Sequence, residues 1–137
     1  LSSGGAFDVW GDPKAELMLV TYGRLFSYAC HAKEALHKLG IEICILKLNQ
    51  IKPIETECIS LCLEKRRVFF FEEGILNGGI GETFGYLLQK NHYPGEFYLN
   101  AIEEAFVPQA SVKSSLCRFC LDEKGMENII YGVENRE

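Results

Sequence analysis

Residues 67–85 read Arg-Val-Phe-Phe-Phe-Glu-Glu-Gly-Ile-Leu-Asn-Gly-Gly-Ile-Gly-Glu-Thr-Phe-Gly. The apolar run Val68–Phe71 is too short for a buried helix and is rich in residues that suit a pleated surface, so it predicts a buried strand. Two carboxylates, Glu72 and Glu73, end this strand, and a glycine-rich loop then leads into a predicted helix. In α/β folds, a turn from strand to loop to helix lies where binding sites are built.

The glycines of this turn allow two uses. Gly74, Gly78, Gly79 and Gly81 permit backbone angles and close approaches that side chains would block, and the following helix N-terminus carries a partial positive charge. An anion could bind there, or the glycines could serve only to pack the helix on the sheet or to admit another subunit. The spacing Gly79-x-Gly81-x-x-x-Gly85 departs from the dinucleotide fingerprint and does not follow the first strand. We therefore favour the packing or interface role.

Composition bounds the class of protein. The chain has 137 residues, 47% of them hydrophobic, and a formal net charge of −5, which indicates one globular domain with a real core. Negative charge disfavours nucleic acid and anionic membranes as partners, and neither a membrane span nor a signal peptide is visible. We therefore expect a cytoplasmic protein that binds neither nucleic acid nor membrane.

Two short segments suggest how the chain is organised. Ser2-Ser3-Gly4-Gly5 resembles a linker, so we expect residues 1–14 to be a linker and residues 15–137 to form a domain cut from a larger protein. The basic triplet Lys65-Arg66-Arg67 is expected to be a solvated corner between a helix and a strand.

Apolar patterns predict strands and helices that alternate along the chain. The predicted strands are Phe7–Trp10, Leu17–Tyr22, Ile41–Leu48, Val68–Phe71 and Glu96–Ile102, and the predicted helices are Ser27–Leu39, Glu55–Lys65, Glu82–Lys90 and a region from Ser111 onward. Gly40 is the expected stop of the first helix. This order predicts a three-layer α/β/α sandwich, with helices on both faces of a mostly parallel five-stranded sheet.

Six cysteines raise the question of a metal site. Cys117 and Cys120 have the spacing of a zinc knuckle, and Cys58 and Cys62 share a helix face. The two pairs are far apart in sequence, however, and Cys58 and Cys62 fall within an apolar stripe. We therefore expect packing thiols and no bound metal.

Candidate acid–base groups are also scattered. His31 and His37 face different directions on one helix, and His92 precedes a proline in a loop, so we expect surface or packing roles for all three. Glu72 and Glu73 point to opposite faces of their strand and cannot form an acid–base dyad. We expect one of them to be buried against a loop amide or a partner subunit, and we expect no catalytic and no cofactor-binding residue in this chain.

Several segments together carry a resemblance to a known family. They are Leu17–Tyr22 closed by Gly23, the helix end Ala32–Gly40, Ile51-Lys52-Pro53-Ile54-Glu55, Glu72-Glu73-Gly74 with Gly78-Gly79-Ile80-Gly81, and the tail Phe106-Val107 with Leu121–Met126. In this order they resemble the C-terminal domain of the transketolase group of thiamine-diphosphate enzymes, and most closely that of the 1-deoxy-D-xylulose-5-phosphate synthases. The corresponding family motifs are V-K-P-L-D, E-E-G, G-G-F-G, F-I-x-H-G and G-L-D-x-x-G-I. The tail separates the chain from pyruvate dehydrogenase β-type enzymes.

The chain also departs from the family pattern. Asn49-Gln50 stands where the family usually has Arg-Phe, Gln109-Ala110 stands where the tail has His-Gly, and Cys120 replaces a glycine. These changes remove side chains that would make polar contacts in the family and leave the hydrophobic frame intact.

The resemblance implies a sheet with one antiparallel edge strand and a function that belongs to a longer protein. Family members condense pyruvate with D-glyceraldehyde 3-phosphate to form 1-deoxy-D-xylulose 5-phosphate and CO2, an entry to isoprenoid precursors, with thiamine diphosphate and Mg²⁺ held by the preceding domains. This chain would support a homodimer and the rim of the active site without being catalytic alone. The implied interface residues are Glu72, Glu73, Gly74, Gly78, Gly79, Gly81, Lys52 and Pro53. The alternatives are a stand-alone α/β module that binds an anion or regulates a partner, and the same domain of a transketolase or an oxoacid dehydrogenase.

Overall fold

The computed structural model describes residues 5–23, 25–50, 54–73, 80–102 and 123–135. Five strands and four helices lie within these ranges. In chain order they are β1 (Phe7–Trp10), β2 (Leu17–Tyr22), α1 (Leu25–Lys38), β3 (Ile43–Leu48), α2 (Thr56–Leu63), β4 (Arg67–Glu73), α3 (Ile80–Lys90), β5 (Glu96–Ile102) and α4 (Glu123–Glu134). The predicted helical region from Ser111 onward is described only where α4 lies, because residues 103–122 are outside the described part of the chain.

The five strands form one sheet in the order β1-β3-β2-β4-β5. Strand β2 pairs in parallel with β3 on one side and β4 on the other, and β5 pairs in parallel with β4. Strand β1 is the antiparallel edge, with Phe7 opposite Leu48 and Trp10 opposite Ile45. The predicted mixed sheet with one antiparallel edge strand is therefore confirmed. Since β1 pairs with β3, Phe7–Trp10 belongs to the sheet, while the proposed boundary at residue 15 stays a prediction.

The side chains of the central strands alternate between two separate cores. In β2, Leu17 and Leu19 pack on the same side as α1 and α4, whereas Met18 and Val20 pack on the side of α2 and α3. Strands buried on both faces read as continuous apolar runs, because neither face meets water. The two cores confirm the three-layer α/β/α sandwich.

The phenylalanines of β4 link the two cores. Phe69, Phe70 and Phe71 are each fully buried. The ring of Phe70 lies 5.3 Å from that of Phe84 in α3, and Phe69 stacks on Tyr98 of β5 at 5.2 Å. Each such burial contributes about 1.5–3 kcal/mol relative to an exposed side chain, so the three rings hold β4 in both cores.

Helix α1 ends as the sequence predicts. Gly40 has a φ of 86°, in the left-handed region that favours glycine. The amide of Gly40 donates to the carbonyl of His37 (3.0 Å), and the amide of Ile41 donates to the carbonyl of Leu36 (2.9 Å). These bonds satisfy carbonyls that the helix end would otherwise leave unpaired.

The basic triplet differs from its prediction as a solvated corner. Lys65 and Arg67 are buried, at 7% and 5% exposure, and only Arg66 is exposed. The Lys65 ammonium donates to the carbonyls of Pro13 (2.8 Å) and Ala15 (2.5 Å), which holds the turn before β2. The prediction was wrong because the partners of these cations are distant in sequence.

The two arginines of the triplet fasten the C-terminal helix to the sheet. Arg67 donates through Nε to Glu96 (2.7 Å) and through Nη1 to Glu134 of α4 (2.5 Å). Arg66 donates to the other oxygen of Glu134 (2.8 Å) and to Glu16 (2.9 Å). Glu134 therefore receives two guanidinium groups and ties the end of α4 to the start of β4.

We predict that Glu134→Gln lowers the free energy of unfolding by about 1–3 kcal/mol, because it replaces the carboxylate that accepts two charge-assisted bonds, from Arg66 and the buried Arg67, by a neutral amide. The control is Glu127→Gln on the same helix, which has no ion pair within the described residues. Urea denaturation of both variants is the measurement. Equal loss of stability in the two would contradict the fastening role of Glu134.

Candidate functional site

The candidate site lies at the carboxyl ends of β2 and β4. Within the sheet, β3 is the neighbour of β2 on one side, and the chain reaches it from β2 through α1. Strands β4 and β5 lie on the other side of β2. The carboxyl ends of two such neighbouring strands form a switch point, where α/β folds open a crevice. The backbone register of β2 with β4 ends at Val20 and Phe70. Beyond that pair, side chains connect the two strands.

Two side chains make this connection. The hydroxyl of Thr21 donates to the backbone carbonyl of Phe71 at 3.0 Å, in a buried position. The phenol of Tyr22 donates a long hydrogen bond of 3.5 Å to Oε1 of Glu72. Neither role was predicted from the sequence, although two hydroxyl residues that end an otherwise apolar strand are a signal for such contacts.

Glu72 joins three elements at one carboxyl group. Its alternation in β4 places it on the same face as Phe70, and the residue is only 2% exposed. Oε1 accepts the backbone N–H of Gly81, near the start of α3, at 2.9 Å. With Tyr22 as its other partner, the carboxyl connects β2, β4 and α3. One of the two glutamates was expected to be buried against a loop amide or a partner subunit. Glu72 is buried, and the amide that donates to it belongs to a helix start and not to a loop.

The environment of Glu72 favours its neutral form. Burial raises the pKa of the Glu72 carboxyl, and the negative charge of Glu82 adds to the rise. The hydrogen bonds from Gly81 and Tyr22 lower this pKa, with a smaller combined effect. The group is therefore protonated over a wider pH range than an exposed glutamate.

Gly81 allows α3 to approach the sheet closely. A Cβ at this position would lie 2.2 Å from Leu99 Cδ1, 3.2 Å from Phe70 Cδ1 and 3.2 Å from Glu72 Oε2. Gly85, one helical turn later, would place a Cβ 2.8 Å from the ring of Phe97. For these two glycines, tight packing on β4 and β5 is the observed role.

The other members of the predicted interface lie outside the described residues. These are Gly74, Gly78, Gly79, Lys52 and Pro53. The backbone of Glu73 pairs with Ile102 at the end of β4. The role of the set as an interface stays a prediction, and so does the use of the glycine loop by an anion.

The cysteines and histidines are distributed as packing and surface groups. Cys58 and Cys62 are buried on α2, and burial raises the pKa of Cys58 to about 12 and that of Cys62 further still. His31, His37 and His92 are exposed. Cys117 and Cys120 lie outside the described residues. Within the ranges that the structure describes, His, Cys, Asp and Glu form no cluster able to hold a metal ion.

One general finding concerns the helices. Among the described residues, no helix combines the length and the hydropathy needed to span a membrane.

We predict that Gly81→Ala destabilises the fold by about 1–3 kcal/mol, because its methyl group must displace Leu99 and Phe70 from a packed core. The matched control is Gly132→Ala in α4, where a Cβ would meet nothing within 4 Å. Alanine is the better helix former, so Gly132→Ala should be neutral or stabilising by up to about 1 kcal/mol. Thermal unfolding of both variants is the measurement. A Gly81→Ala variant as stable as the control would contradict the close packing.

Comparison with known proteins agrees with this architecture. The family model described as "Transketolase, C-terminal domain" matches residues 10–126. A solved structure described as "Split gene transketolase, inactive beta4 tetramer" superposes on this chain with a TM-score of 0.76 at 20% sequence identity. The match covers 92% of this chain and 41% of that one. At this identity the likeness shows the fold alone.

Curated relatives share the same segment of sequence. The 1-deoxy-D-xylulose-5-phosphate synthase of Clostridium botulinum (strain Alaska E43 / Type E3) is 28% identical over 133 residues, which cover 96% of this chain and 21% of the relative. The synthase of Clostridium beijerinckii is 23% identical over 117 residues, covering 85% and 19%. The chain thus spans about a fifth of the length of these relatives. On the match of the family model and the shared fold, the chain belongs to the transketolase C-terminal domain family.

Proposed function

We propose that this chain is the C-terminal domain of a thiamine-diphosphate-dependent 1-deoxy-D-xylulose-5-phosphate synthase. The observation that carries the proposal is the match to synthases over nearly the whole chain, up to 96% of it. In this proposal the longer protein condenses pyruvate with D-glyceraldehyde 3-phosphate, and the present domain supports its assembly and the rim of its active site.

The described residues do not fit the site of the cofactor. Glu72 is the buried carboxyl at the carboxyl edge of the sheet, and Gly81 and Tyr22 already bond to it. Mg²⁺ prefers several oxygen ligands in octahedral geometry, and the described residues bring no such cluster together. We therefore place thiamine diphosphate and Mg²⁺ in the other domains of the longer protein, where they would supply the carbanion chemistry.

The role in assembly follows from where the family motif lies. Glu72 and Gly81 fix the two flanks of residues 74–79 against the sheet edge. Because the family motif runs from Glu72 through residues 74–79 to Gly81, we assign the contact with another domain or subunit to this segment. In our proposal this contact supports a homodimer of the longer protein.

The test of the activity uses the complete open reading frame that encodes this chain. We expect the complete protein to form 1-deoxy-D-xylulose 5-phosphate from pyruvate and D-glyceraldehyde 3-phosphate, with a requirement for thiamine diphosphate and Mg²⁺. Calorimetry should show no Mg²⁺-dependent binding of thiamine diphosphate to residues 1–137 alone. Ketose transfer in place of the synthase reaction would assign the domain to another thiamine enzyme, and micromolar cofactor binding by the domain alone would contradict its supporting role.

The assembly role has a separate test in the complete protein. We predict that Gly79→Val raises the dimer dissociation constant roughly tenfold, because a branched side chain restricts the backbone and occupies space at the contact. Turnover per intact dimer should stay near normal, since the reacting atoms lie in other domains. Gly132→Val, at a glycine with open space around it, is the control.

Analytical ultracentrifugation and steady-state kinetics on the same samples separate the outcomes. An unchanged dimer with a large loss of turnover would show that residue 79 reaches the chemistry, and the assembly role would then be abandoned.

A further inference from the structure

The carboxyl group of Glu72 lies where three elements of secondary structure meet. It lies at the end of β4, accepts the N–H of Gly81 in α3 and is within 3.5 Å of the Tyr22 hydroxyl of β2. Its second oxygen lies 3.2 Å from the place where a Cβ of Gly81 would be. The group is thus enclosed by the helix start that it holds.

Within the part of the chain that the structure describes, the charged group that acts on Glu72 is the like-charged Glu82. Tyr22 faces it from β2 as a neutral hydroxyl, and Glu82 of α3 contributes a like charge. Strand β5 contributes the apolar side chain of Leu99 to the same packing. Among the described residues around it, the ionised carboxylate is therefore stabilised by one backbone amide, one long hydroxyl bond and the dipole of α3.

We propose that Glu72 is a proton-sensitive latch that holds the start of α3 against the ends of β2 and β4. This inference goes beyond the proposed function and does not depend on it.

The two protonation states of Glu72 differ in how strongly they hold the start of α3. A neutral carboxyl keeps an acceptor oxygen for the Gly81 amide without burying a charge. An ionised carboxylate makes a stronger hydrogen bond, but it must remain desolvated beside Glu82. Because opening of the helix start would hydrate the carboxylate, ionisation favours the open state.

The direction in which the pKa of Glu72 is shifted determines the pH range in which the latch holds the start of α3. Its pKa in the fold is raised above the ordinary value of 4.5. The stabilisation that the neutral group provides is therefore fully present below pH 4.5 and is lost as the pH rises through the raised pKa. The latch therefore holds the start of α3 more strongly in acid than at neutral pH.

Amide NMR of the 137-residue chain between pH 4 and 8 tests the proposal. In the wild type, we expect the Gly81 amide shift to titrate with a midpoint above 4.5, and we expect the transition to vanish in Glu72→Gln. Glu82→Gln is the matched control, since it removes the neighbouring charge and leaves the latch. It should lower the midpoint and keep the transition.

Hydrogen exchange at Gly81, corrected for the intrinsic rate, tests the opening itself. At neutral pH the wild type should exchange about threefold to tenfold faster than Glu72→Gln, the size expected for one hydrogen bond, and the two should agree near pH 4. A wild-type Gly81 amide that does not titrate, a midpoint at or below 4.5, or equal exchange in both proteins at neutral pH would overturn the latch.

Discussion

The burial of β4 on both faces is the constraint on which the rest of the structure depends. Its three phenylalanines alternate between the core under α2 and α3 and the core under α1 and α4, and all three are fully buried. Neither helical layer covers a complete core without this strand. Because protein interiors are close-packed, the rings of β4 constrain the positions of α3 and β5, whose aromatic rings pack against them.

A strand buried in this way must satisfy the polar groups at its two ends. At the amino end, Arg67 is paired with Glu96 and Glu134. At the carboxyl end, Glu72 is bonded to the Gly81 amide and lies near Tyr22. An unpaired buried charge such as that of Arg67 would cost several kcal/mol, and a buried carboxyl without a hydrogen-bond partner is also costly, so each end is bonded to another element. The amino end recruits α4, and the carboxyl end recruits α3 at the edge where the family motif lies.

The sequence predicts the frame of this fold better than its polar contacts. The apolar runs of β2 and β4 identify the central strands, because a short continuous run of apolar residues in a chain of this size indicates a strand that is buried on both faces. The burial of Arg67 could not be predicted, since Glu134 follows it by 67 positions. Helix α3 begins at Ile80, whereas its start was predicted at Glu82. The prediction was two residues late because β-branched residues and glycine are weak helix formers. The amide partner of Glu72 therefore became visible only in the structure, and the interface role of its neighbours depends on the longer protein.

Native-state hydrogen exchange of the 137-residue chain tests the central position of β4 most directly. If both cores depend on this strand, its amides and those of β2 exchange only through global unfolding. We predict that Leu19, Val20, Phe69 and Phe70 exchange last, with the same free energy of opening as the global unfolding measured by denaturant. Amides of the edge strand β1 or of α4 that remain protected after those of β4 have exchanged would contradict this account.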